Sequence, residues 1–299
     1  MKKAAILALS FCAMALTTAA SSQTWVSNTG SDSNPCTIAA PCRTFARAVT
    51  VTPAWGQLSV LNPGDYGSVT ITQAIRIDGG GFATNVATAG NNGITVNTPA
   101  GSVVQLHNLS IHGATGGDTG IVFSGSGGLD IDNVQITGFY YGILSGSTSQ
   151  NLVVKDTTIE NIASTGIYIV GPSATTLSSA EIINTHVRFA NNGIRTQYAA
   201  VSVINSTFTS PNAGSTEGNF GEGIMSFYSN LYVDNCQING YLEGLYADGG
   251  ITQVNRSSFL NNANAVVVSP AVISNGSNTS FNNTTNLAVG GGPSPATMW

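Results

Sequence analysis

The chain has 299 residues, 42% of them hydrophobic and only 8% charged, with a formal net charge of -5. That is enough apolar residue for a large core, and far below the charged fraction of about 25% usual in globular domains. A chain this acidic and this poor in Lys and Arg has no basic stripe to neutralise phosphates, which argues against nucleic acid as a partner.

Lys2 and Lys3 precede an apolar run from Ala4 to Leu16 and then Thr17-Thr18-Ala19-Ala20. This order of basic, apolar and small residues reads as a secretory leader over residues 1–20, too short to span a bilayer. No other run is long and apolar enough for a membrane helix. With Lys2 and Lys3 removed, the 9 basic residues fall to 7 against 14 acidic ones.

Residues 21–57 differ in pattern from the rest of the chain. Trp25-Val26-Ser27 reads as a short strand, and Thr44 to Val51 as a helix with Phe45, Ala48 and Val49 on one apolar face, stopped by Pro53. Between them, Cys36 and Cys42 sit six apart in a Pro-rich loop. In an oxidising compartment a local disulfide is the expectation; a zinc site is the rival reading, but no His or further Cys is near. Because a stack of strands exposes core and strand edge at its end, the segment reads as an N-terminal helical cap.

From residue 58 the chain reads as short strands and turns as far as 290, leaving 291–299 as a tail. Leu58 to Leu61, Val69 to Ile71 and Ile75 to Ile77 are strand-like, with Asn62-Pro63-Gly64-Asp65 and Gly79-Gly80-Gly81 as turns. From about residue 101 one phrase recurs: apolar, any residue, Asn, two residues, apolar, and after a variable turn Gly-Ile. Val233-Asp234-Asn235-Cys236-Gln237-Ile238 followed by Gly244-Leu245 is one copy. The Asn position falls at 108, 133, 156, 184, 205, 235, 256 and 278, with Asp156 and Arg256 as substitutes, so the period is about 24 residues. Each copy holds about three short strands and no helical periodicity.

This repeat resembles that of the right-handed parallel β-helix proteins of the pectate-lyase-like superfamily. The opening also resembles secreted bacterial members: a strand, a Cys-containing loop, Pro41-Cys42-Arg43-Thr44-Phe45 and Asn62-Pro63-Gly64-Asp65-Tyr66. The resemblance implies an all-β, right-handed parallel β-helix, secreted or periplasmic, whose exposed side contacts extracellular or cell-wall polysaccharide. A single chain suffices to build such a solenoid, so a monomer is expected.

Stacking makes each repeat position a column. Ile111, Ile136, Ile159, Val187, Phe208, Ile238 and Phe259 form one inward column, and Ile121, Ile143, Ile167, Ile194, Ile224, Leu245 and Val266 another. The Asn column reads as an internal ladder that satisfies buried polar groups. Arg256 does not fit such a ladder and reads as fraying or as a register shift onto Asn255. Cys236 reads as a buried, inert thiol. The mixed charges of His107, Asp132 and Lys155, and of Glu160 and Arg188, read as surface ion pairs.

Function then lies outside. The residue after each Gly-Ile is outward, which gives Tyr168, Arg195, Met225 and Tyr246, with Tyr140, Tyr141, Tyr198, Phe227 and Tyr228 close in sequence. Tyr141, Tyr168 and Tyr246 are the expected sugar-stacking residues, since aromatic planes cover the apolar faces of sugar rings; the alternative is that these rings cover turns. Glu222 and Glu243 share one repeat position in neighbouring copies. With Arg195 they are the catalytic candidates for a divergent polysaccharide lyase or glycoside hydrolase, against the plainer reading of two solvated acids. The Asn-Thr-Asp, Asp-Asp, Gly-His-Gly and Arg-Ile-Lys motifs of polygalacturonase-like proteins do not occur. No metal site or cofactor is read from the sequence. Binding without catalysis is therefore the leading expectation, an adhesin-like surface protein a further one.

Overall fold

The computed structural model describes residues 23–87, 91–146, 148, 150–211, 221–269, 272–274 and 277–289. The expected leader over 1–20 and the tail over 291–299 lie outside them. The chain winds as a right-handed solenoid in which every ladder between strands is parallel, from Gln23–Val26 pairing with Gly56–Val60 to Asn264–Ser269 pairing with Thr285–Val289.

At the N-terminal end, a helix spans Phe45–Val51. The Thr44 side chain accepts from the Arg47 N–H at 3.1 Å, the usual way a helix start satisfies a free donor. The Asp32 carboxylate accepts from the Arg43 and Thr44 N–H groups and so fixes the entering loop. Phe45, Ala48 and Val49 are the buried face, and the Phe45 ring lies 5.2 Å from that of Tyr66. Cys36 and Cys42 form a disulfide, with Cα atoms 4.6 Å apart, and both are buried.

Each coil has three faces. The pre-bend face holds strands ending at the repeat Asn, such as Ala199–Ile204 and Asn230–Asp234. The post-bend face holds Thr207–Thr209 and Gln237–Asn239. The Gly-Ile face holds Glu222–Phe227 and Glu243–Asp248. Both expected inward columns are present. All seven residues of each, from Ile111 to Phe259 and from Ile121 to Val266, are fully buried. Burying each such side chain contributes about 1.5–3 kcal/mol, so these columns supply much of the driving force.

The Asn column corrects the expectation: it is outside. Asn108, Asn133, Asp156, Asn184, Asn205, Asn235 and Arg256 all have φ between 47° and 55°. One left-handed residue between two strands breaks their alternation and turns its own side chain away from the core. Asn tolerates that backbone better than most residues. The column still forms a ladder, on the surface: Asn133 Nδ2 donates to Asn108 Oδ1 at 2.7 Å, and Asn235 Nδ2 to Asn205 Oδ1 at 2.8 Å.

The interior polar ladder lies one residue later, at Thr157, Thr185, Ser206, Cys236 and Ser257, all at most 3% exposed. The Thr185 N–H donates to Ser206 Oγ and the Cys236 N–H to Ser257 Oγ, each at 3.1 Å. These oxygens satisfy backbone donors that the bend removes from the strand ladder.

Arg256 marks neither fraying nor a shift. It keeps the left-handed bend, and its Nε donates to Asp234 Oδ1 of the preceding coil at 2.8 Å. The last copy instead sits one residue earlier than expected. Asn278 occupies the interior position, where its Oδ1 accepts from the Ser257 N–H, and Ser277 stands beside Arg256, with its Oγ accepting from the Arg256 N–H. Phe281 is 72% exposed, and Ser280 pairs with Phe259.

The glycine before each inward Ile is required by close approach. A Cβ at Gly223 would lie 2.3 Å from Ile238 Cγ2 and 2.5 Å from the Gly244 carbonyl oxygen. The inward post-bend side chain of the next coil thus occupies the space that this glycine leaves.

Candidate functional site

The parallel register places the outward residues of the Gly-Ile face in rows that run along the solenoid. Tyr168 pairs with Arg195, Arg195 with Met225, and Met225 with Tyr246. Each lies about 4.8 Å from the next along the hydrogen-bonding direction. Tyr141 belongs to the row just before the glycines, with Thr165, Asn192, Glu222 and Glu243.

Side chains join the rows. The Tyr141 ring meets the Tyr168 ring at 6.2 Å between centres, and Tyr140 meets Tyr141 edge-on at 4.7 Å. The Arg195 guanidinium lies 5.0 Å from the Tyr168 ring centre and 5.8 Å from that of Phe227. Phe227 in turn lies 5.6 Å from Tyr246. The result is one strip of rings, with a cation held between two of them, across five coils. Such cation–ring contacts stabilise by about 0.5–2 kcal/mol and fix the guanidinium in place. Arg195 Nε is buried and has no hydrogen-bond partner among the described residues.

Glu222 and Glu243 flank the strip as register partners. The Glu222 N–H donates to Asn192 Oδ1 at 3.1 Å, and Asn192 Nδ2 donates to Thr165 Oγ1 at 3.3 Å, so a polar chain runs beside the rings. Burial holds the Glu222 carboxyl above its usual pKa, the charge of Glu243 raises it further, and Arg195 opposes both. Burial also raises Glu243. The Tyr246 hydroxyl is raised by burial first, then by Asp248, Glu243 and Glu222. Glu222 and Glu243 are thus carboxyls that hold a proton more readily than free glutamates, beside a fixed cation.

All six residues singled out from the sequence lie on this face, and Phe227, Asn192 and Thr165 join them. Phe227, close to the outward row in sequence, lies two residues beyond Met225 and so points to the same side. Tyr198 and Tyr228 do not join the strip. They stack on one another at 5.8 Å, both with left-handed backbone, at the corner leading to the pre-bend face. Cys236 is remote from this chemistry. It is buried, and burial pushes its thiol up to about 11. Among the described residues, no three His, Cys, Asp or Glu side chains are placed to hold a metal ion, and no helix is long and apolar enough to cross a membrane.

A family model described as a right handed beta helix region matches residues 64–208. Among solved structures, the chain is similar to the pectate lyase Pel9A, with a TM-score of 0.58 at 12% identity, over 91% of this chain and 78% of that one. It is also similar to the GH136 lacto-N-biosidase from Eubacterium ramulus, with a TM-score of 0.52 at 12% identity, over 90% of this chain and 67% of that one. At such identity the likeness is one of fold. No curated protein matches the chain.

Proposed function

Taking the chain as a right-handed parallel β-helix of the pectate-lyase-like type, we propose that it is a secreted protein that binds polysaccharide on its Gly-Ile face. The observation that carries this reading is the strip itself: Tyr141, Tyr168, Arg195, Phe227 and Tyr246 in mutual contact across successive coils. Ring faces spaced along a straight axis suit the apolar faces of successive sugar units, and the polar chain beside them suits hydroxyls. The disulfide between Cys36 and Cys42 agrees with an oxidising compartment, and a basic-apolar leader would take the chain there. A monomer is sufficient, since every row of the strip comes from one chain.

A specific observation favours a second reading, cleavage of the bound chain. Burial raises the pKa of both Glu222 and Glu243 from the ordinary carboxyl value, and Arg195 opposes the rise at Glu222. Backbones about 4.8 Å apart suit the roughly 5–5.5 Å between the carboxyls of a retaining glycosidase. A raised carboxyl would act as the acid and its neighbour as the nucleophile.

One experiment separates the two. The purified protein is run through gels containing acidic or neutral polysaccharides, and the same mixtures are assayed for new reducing or unsaturated ends. Retention without new ends, weakened by Tyr168→Ala and Tyr246→Ala, is the expected outcome. New ends that vanish in Glu222→Gln or Glu243→Gln would replace binding by cleavage. No retention and no new ends would leave an adhesin-like role towards a protein.

A further inference from the structure

The pre-bend face, on another side of the solenoid, carries a trough of about 480 Å³. Its floor is low at Ser202 because that side chain is small where the coils on either side carry Glu181 and Tyr232. Along one row, Ser202 is flanked by Glu181 in the preceding coil and Tyr232 in the following one, with Gln253 beyond. The trough runs from Asn151 to Gln253, four coil steps, or about 19 Å.

Its aromatic wall is Tyr232, two residues from Asp234 on the same side of its strand, and Asp234 is held by the Arg256 guanidinium of the next coil. Of the lining, Asn151, Glu181, Ser202 and Gln253 face outward with Ala200, Ile251 and the Tyr232 ring, while the side chains of Ala180, Val201 and Leu231 point into the core. The rim offers both donors and acceptors.

These features select the ligand. Glu181 is the one charged residue of the lining, so an anionic ligand would meet repulsion without compensation. An extended peptide would need free backbone groups, but this is the middle of a sheet, where the strands Ser178–Ile183, Ala199–Ile204 and Asn230–Asp234 already pair on both sides. What remains is a molecule with an apolar face and a periphery of hydroxyls. We propose that this trough is a second carbohydrate site, which takes a short stretch of neutral saccharide stacked on Tyr232. It is independent of the Gly-Ile face and is chemically distinct from it, since no cation stands in the lining.

The test uses the intact protein, a short neutral gluco-oligosaccharide and the matching uronic-acid oligosaccharide as probes. Binding is followed by calorimetry and by backbone amide shifts. The expected result is that the neutral probe shifts amides over 179–181, 200–202 and 230–232, and that the uronic-acid probe does not. Tyr232→Ala should weaken the neutral probe about three- to tenfold, as loss of one ring stack does. Ser202→Trp, which fills the trough from an outward sheet position, should abolish these shifts and leave any shifts on the Gly-Ile face in place. Neutral-probe shifts confined to the Gly-Ile face, or shifts over 179–181, 200–202 and 230–232 that survive Ser202→Trp, would overturn the second site and leave the Gly-Ile reading intact. Absence of any neutral-probe shift would overturn it as well, whatever the uronic-acid probe does.

Discussion

Glu222 and Glu243 are register partners on adjacent parallel strands, and burial raises the proton affinity of both. Their pKa values are higher in the folded chain than in the unfolded one, so the folded state binds protons more tightly. The stability they allow is complete below the ordinary carboxyl range and is lost as pH rises through the raised values. Glu222→Gln should therefore raise the Tm at neutral pH and leave it nearly unchanged at pH 3–4, with a larger gain at low salt. Thermal melts across pH check this; a Tm gain that is the same at every pH would show that ionisation of Glu222 does not set it.

Asn235 does two things at once, and substitutions separate them. Its backbone is left-handed, and its amide continues the surface ladder to Asn205. Asn235→Gly should cost under about 1 kcal/mol, because only an exposed hydrogen bond goes. Asn235→Ala should cost about 1–2 kcal/mol, because the strained bend comes on top. Urea unfolding of the two variants gives the comparison, and equal losses would mean that the ladder, not the bend, holds the position.

Cys236 lies in the interior ladder, and burial pushes its thiol to about 11. Thiolate is the reacting form, so an aromatic disulfide reagent at pH 8 should label it only as fast as the solenoid opens. Labelling in urea should be complete and quick. Rapid labelling of the native protein would place the thiol at the surface instead.

Tyr241 is fully buried, and its hydroxyl has no hydrogen-bond partner among the described residues. A buried donor left unmade costs stability, so Tyr241→Phe should stabilise the protein by about 1 kcal/mol. A loss measured in urea unfolding would point to an ordered water bonded to that hydroxyl.

The repeat phrase made much of this legible, because in a parallel stack position along the sequence becomes position along an axis. The columns from Ile111 to Phe259 and from Ile121 to Val266 came directly from it, and so did the gathering of Tyr141, Tyr168, Arg195, Glu222, Glu243 and Tyr246 on one face. The side on which Asn235 lies did not. Strict alternation from Val233 puts Asn235 inside, and a single left-handed residue reverses the count. The same reversal hid the interior role of Thr185 and Ser206, although Cys236 was legible as a buried thiol. The alignment of Asn278 with Asn235 failed because Asn suits both the bend and the interior position, and only the hydrogen bond to the Ser257 N–H distinguishes them. The trough at Ser202 was invisible because depth comes from what the neighbouring coils carry, not from Ser202.

The left-handed bend also sets which changes of length the gene can accept. Between successive bends the chain takes from 21 residues, as from Asn184 to Asn205, to 30, as from Asn205 to Asn235, yet the inward columns stay aligned. The surplus is taken up at corners, such as 171–177 before the strand Ser178–Ile183. Added or lost codons at such a corner leave every face in phase. A single codon gained or lost between Asn235 and Ile238 would swap inside for outside along that strand. Drift in length should therefore collect at the corners, and the three residues after each bend should keep their number whatever their identity.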